Sequence, residues 1–69
     1  MNELGVADFK SKVKIGDEIS VATVLKDYDN ENIHYRGEVL EFKDTWFILK
    51  EDRIKHIIDY KDVYWHSAE

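Results

Sequence analysis

Between Tyr35 and Lys50 the chain reads Tyr35-Arg36-Gly37-Glu38-Val39-Leu40-Glu41-Phe42-Lys43-Asp44-Thr45-Trp46-Phe47-Ile48-Leu49-Lys50. This is a long strand pattern holding one glycine, then a polar turn, then a second strand rich in aromatic and β-branched residues. Ile33, Tyr35, Gly37 and Val39 keep the two-residue period of a strand, after which the apolar residues move to Leu40 and Phe42. A slip of phase inside an extended run predicts a bulge or a sharp bend. Gly37 has no side chain to obstruct a sheet that curls over itself, so both features predict a small, curved β-structure.

The flanking segments fit that architecture. Val6, Phe9 and Val13 follow the i, i+3, i+7 spacing that gathers apolar groups on one helix face, which predicts a short helix over Glu3 to Lys12, weakened at Gly5 and stopped by Gly16. Glu18 to Lys26 alternates, with Ile19, Val21, Thr23 and Leu25 on the face expected to be buried. Asp27 to Asn32 is a polar loop in which Asn and Asp tolerate left-handed backbone angles. Strand two runs from Ile33 to Lys43, strand three from Thr45 to Lys50, and strand four, after a tight Glu51-Asp52 turn, from Arg53 to Ile58. Asp59-Tyr60-Lys61 then turns the chain into strand five, Asp62 to His66. The expected fold is mainly β: one domain over residues 1–69, with a short N-terminal helix and a five-stranded, strongly bent antiparallel barrel.

With 69 residues and 43% apolar content there is room for one core only. The chain has no cysteine, so neither a disulfide nor a thiolate zinc site supports that core, and packing or association with other copies must do so. Neither a secretory signal pattern nor an apolar run of membrane-spanning length is present, which makes the cytoplasm the expected location and a membrane an unexpected partner. The net charge of −5 works against nucleic-acid binding, which draws on Lys and Arg to neutralise phosphates. Charges are interspersed throughout, and the alternating Lys10, Lys12 and Lys14 lie beside Asp8 and Asp17 as a solvated face does.

No reactive constellation emerges. His34 is out of phase with the apolar residues of strand two, His66 lies near the end of the chain, and His56 shares alternation with Ile54 and Ile58, which marks it as a buried, hydrogen-bonded structural histidine. No His-x-x-x-His pair or cysteine partner accompanies them, so no metal or other cofactor is expected. Glu38 and Glu41 differ by an odd number of positions and so point to opposite faces of a strand, while Asp44 suits hydrogen bonding in its turn. The serines lack a His and carboxylate arranged to activate them. A non-enzymatic role follows.

A helix, a strand ending in a hairpin, and Gly37-Glu38-Val39-Leu40-Glu41-Phe42 leading through Asp44 to Trp46-Phe47-Ile48-Leu49 together resemble the Sm-like family, in particular its bacterial Hfq branch. The similarity covers residues 6 to 66, and the short Glu51-Asp52 turn resembles the compact Hfq version. The family's glycine and Phe-Asp pattern is matched by Gly37 and Phe42, with Lys43 inserted before Asp44. Its Tyr-Lys-His signature is half matched by Tyr60-Lys61, with Asp62 in the place of the histidine. The resemblance implies a ring of six or seven subunits joined through strands four and five, with single-stranded RNA at its pore. Tyr28, Tyr35 or Tyr60 would stack on bases, and Lys61, Lys10, Lys12 and Lys14 would meet phosphates. Asp62 puts a carboxylate near that phosphate path. SH3-like barrels present similar glycine and aromatic patterns, so Gly37, Phe42, Asp44 and Trp46 are structural residues under either topology.

Edge strands expose unpaired backbone groups and invite a further strand unless charges deter it. Strands four and five are the candidate edges. Lys55, Lys61 and Asp62 are deterrent charges, whereas Tyr64 and Trp65 offer large apolar area of the kind enriched at interfaces. Tyr64, Trp65 and Lys55 form the candidate protein interface. A protein-interaction module, self-associating or regulatory, is thus the first functional expectation, and an Sm-like ring binding single-stranded RNA is the alternative.

Overall fold

A computed structural model describes residues 1–67 of the chain. Helix α1 spans Glu3–Lys12, and the strands are β1 (Glu18–Lys26), β2 (Asn32–Phe42), β3 (Trp46–Glu51), β4 (Ile54–Asp59) and β5 (Val63–His66). The helix has the expected limits, while the last four strands start or end one residue away from the positions read from sequence. One further difference is larger. Tyr60–Asp62, expected as a plain turn running into a strand at Asp62, is a turn of 3-10 helix.

Local chemistry accounts for these elements. The Asn2 side chain caps α1 by accepting a hydrogen bond from Gly5 N–H at 2.8 Å. The helix ends at Lys12, four residues before Gly16, because Val13 turns extended while its N–H still reaches the Phe9 carbonyl. Gly16 then takes a φ of 98° in the turn into β1, a conformation suited to a residue without a side chain. In the β1–β2 loop, the Asp27 carboxylate accepts from the N–H groups of Asp29 and Glu31, and Asn30 sits at φ 61°.

All five strands lie in one antiparallel sheet with the order β4-β3-β2-β1-β5. The pairing of β2 with β3 slips between Val39 and Glu41, so Leu40 is the extra residue of the bulge that the change of apolar phase predicts. In β1 the alternation is less regular than expected. Ile19, Val21 and Thr23 are buried, but so is Ala22, and Leu25 is exposed, because the pairings shift on both sides of this stretch. The buried Thr23 hydroxyl donates to the Ile33 carbonyl at 2.8 Å.

The sheet is not closed into a barrel, which corrects the expected architecture. Among the described residues, β4 pairs only with β3 and β5 only with β1. The connection between them explains why. Tyr60 N–H bonds back to Thr45, and the 3-10 turn then directs the four residues of β5 along β1 rather than β4. The sheet nevertheless wraps a single core, since Ile58 of β4 and Val63 of β5 join the same buried cluster as Phe9, Val13, Ile19, Val21, Val39, Phe47, Leu49 and Tyr60. The Met1 amino group lies at the gap and donates to the carbonyls of Tyr60 and Val63 at 2.8 and 3.0 Å. Phe9 is the hub, with ring centroids of His66, Phe47, Phe42 and Tyr60 at 4.9, 5.1, 6.0 and 6.2 Å.

Candidate functional site

The two open edges concentrate the chain's unpartnered features. On β4, register with β3 sets Leu49 opposite His56 and Phe47 opposite Ile58 on the core side, and Lys50 opposite Lys55, Ile48 opposite Ile57 and Trp46 opposite Asp59 on the outer side. Ile57 is therefore turned away from the core and is 66% exposed. Ile54 has core-side parity but lies at the hairpin end, beyond the buried cluster, and is 61% exposed. Beside this edge runs a groove of about 530 Å³ bordered by Met1, Val6, Thr45, Asp59 and Tyr60.

On β5, Tyr64 and Trp65 are 56% and 52% exposed, next to the exposed Val24 of β1. Trp65 pairs with Ala22 across the ladder. Lys55 lies on the opposite edge of the sheet, so Tyr64, Trp65 and Lys55 belong to two surfaces.

The residues assigned to RNA fall into a different pattern. Tyr60 is buried, stacked on Phe47 at 5.2 Å between centroids, and its hydroxyl donates to the Lys43 carbonyl at 3.2 Å. Burial, reinforced by the nearby Asp44 carboxylate, pushes the Tyr60 phenol up to about 12. The Lys10 ammonium lies 5.3 Å from the centre of the same ring, and Lys12 pairs with Asp8 at 3.1 Å. Lys61 and Lys14 are exposed, as is Tyr28, whereas Tyr35 is half-buried with its ring 4.8 Å from that of His56.

The structural residues keep their places. Phe42 packs edge-on against Phe9, and an added Cβ at Gly37 would lie 2.4 Å from the Lys50 carbonyl oxygen. Trp46 is half-buried on the outer face with the Lys43 ammonium 6.0 Å from its ring. The Asp44 turn is closed by Lys43 N–H on the Trp46 carbonyl; among the described residues the Asp44 carboxylate makes no hydrogen bond to it. His56 is partly buried, with Nε2 3.3 Å from a Glu51 carboxylate oxygen, His34 is exposed, and the buried Nδ1 of His66 has no partner among the described residues. No helix is long and apolar enough to cross a membrane, and no group of three or more metal-ligating side chains occurs among the described residues.

Sequence reasoning passed over Ile54 and Ile57. A signal for Ile57 exists: a strand that buries Ile58 must turn the adjacent Ile57 to the other face. Compared with protein-family models, curated proteins and solved structures, the chain matches none.

Proposed function

We propose that this chain is a non-catalytic protein-interaction module that works through its open sheet edges, copies of itself included, in the cytoplasm. One observation carries the reading: each edge strand that lacks an outer neighbour also carries large exposed apolar side chains, Ile54 and Ile57 on β4, and Tyr64 and Trp65 on β5. Charge deters a further strand, and β4 does carry Lys55 and Asp59, but the large apolar groups beside them are not what an edge built only for deterrence presents. Apolar and aromatic groups beside free backbone donors and acceptors suit strand addition, in which main-chain bonds give affinity and alternate side chains give specificity.

A second reading, an Sm-like ring with single-stranded RNA at its pore, draws on the same topology. With β4 and β5 at opposite edges, head-to-tail joining of unlike edges would close a ring if the rotation allowed it. Electrostatics opposes the RNA part. The chain is acidic, Lys10 and Lys12 are already engaged, and Tyr60 would have to leave the core to stack on a base.

Titration with fluorescent oligo-U and oligo-A at about 50 mM salt, alongside light scattering on a sizing column, separates the two. A defined oligomer without RNA binding is the expected outcome. Binding tighter than micromolar that weakens steeply with salt, on a species of six or seven 8.2 kDa chains (about 49 to 57 kDa), would favour the RNA ring instead.

A further inference from the structure

The geometry points to a specific occupant for the β4 edge: a second copy of the same strand, antiparallel, about a two-fold axis through Ile57. This rests on the interaction reading above and gives it a partner and a register. The backbone comes first. Only Asp52 and Arg53 separate the paired residues Glu51 and Ile54, so that pair closes the hairpin with mutual hydrogen bonds. Hydrogen-bonded and non-bonded pairs alternate along an antiparallel ladder. Ile54, His56 and Ile58 therefore spend their N–H and C=O groups on β3, and Tyr60 N–H, donating to the Thr45 carbonyl at 3.1 Å, shows the same parity at the far end. Lys55, Ile57 and Asp59 turn theirs outward. With Ile57 facing the partner's Ile57, all three outward positions form mutual hydrogen-bonded pairs, Lys55 with the partner's Asp59 and Asp59 with the partner's Lys55.

Side-chain chemistry selects this register. Lys55, Ile57 and Asp59 share the outer face, and Lys55 stands directly opposite Lys50, an unfavourable like-charge pair. Neither lysine has an ion-pair partner among the described residues, nor has Asp59. The partner's Asp59 supplies the missing counter-charge next to Lys55, twice by symmetry. Between the charges, Ile48, Ile57, the partner's Ile57 and the partner's Ile48 form one apolar row. Moving the axis two residues either way would set Lys55 against itself or Asp59 against itself. On the core side, the same register sets the exposed Ile54 opposite the partner's Tyr60, where the apolar groove opens beside the edge. The exposed Ile54 and the groove bordered by Tyr60 thus lie three residues to either side of the axis.

The test is charge reversal read by light scattering across a dilution series. Wild-type chain is expected to reach two 8.2 kDa chains, about 16 kDa. Lys55→Asp or Asp59→Lys alone places like charges together at both symmetric positions and is expected to weaken the dimer about ten- to a hundredfold. The double variant restores it. Folding is not at issue, because both residues lie on the outer face and Lys55→Asp relieves the repulsion with Lys50. In this cysteine-free chain, Ile57→Cys is expected to oxidise to a covalent dimer, since hydrogen-bonded pairs hold Cα atoms about 5.5 Å apart, within disulfide reach. A dimer or larger assembly indifferent to the single reversals overturns this register while leaving the interaction module standing. A monomer of 8.2 kDa at every concentration overturns the pairing and self-association together.

Discussion

Tyr60 is a tyrosine whose ring stacks on Phe47 and whose hydroxyl is donated to a backbone carbonyl, so ionising it in place means exposing charge to an apolar site beside the Asp44 carboxylate. Its folded pKa of about 12 lies above the ordinary value of 10.0. Below pH 10 both folded and unfolded chains hold the proton and the residue's full contribution is present. Between pH 10 and 12 the unfolded chain releases it first, and stability falls by on the order of 2 kcal/mol. Urea unfolding across that window is expected to show this loss in wild type and its absence in Tyr60→Phe, whose stability at neutral pH is lower by about 1 kcal/mol for the missing hydrogen bond. An ultraviolet titration adds a check: one of the chain's four tyrosines should ionise near 12.

Among the elements, β2 is the one most nearly written into its own residues. The glycine and the change of apolar phase both mark where the strand must deform, and the bulge falls at Leu40. What the pattern does not contain is the identity of the approaching backbone, which is the end of β3 at Lys50. Gly37→Ala forces a methyl group into that carbonyl, and neither chain can yield without disturbing the ladder. A loss of about 1–3 kcal/mol in urea or thermal unfolding is expected. The β1 strand was less legible. Its neat alternation breaks because two neighbours, β2 and β5, each slip in register against it, and a single strand's pattern does not reveal such slips. The β4 strand held a partial signal, adjacent isoleucines that cannot both face inward, but what lies outside its open edge depends on topology.

For the whole molecule, α1 substitutes for the missing barrel closure. It lays Phe9 across the core so that one ring touches side chains from β2, β3, the 3-10 turn and β5, while the Met1 amino group bonds to carbonyls at the gap between the two edges. So few core residues share this work that losing one is severe. Phe9→Ala is expected to cost about 3–5 kcal/mol, comparable with all that a core of this size supplies, and to abolish cooperative unfolding as followed by near-ultraviolet circular dichroism. The element order, the helix limits, the bulge and the acidic, cysteine-free character were set by the sequence alone, because periodicity, capping and charge act between residues a few positions apart. Tertiary structure decided that the sheet stays open, that Tyr60 is a core residue, and that Ile54 and a groove share one edge. Each of those depends on which distant segments pair, and a hydrogen-bonded ladder joins residues with no local sign of their partners.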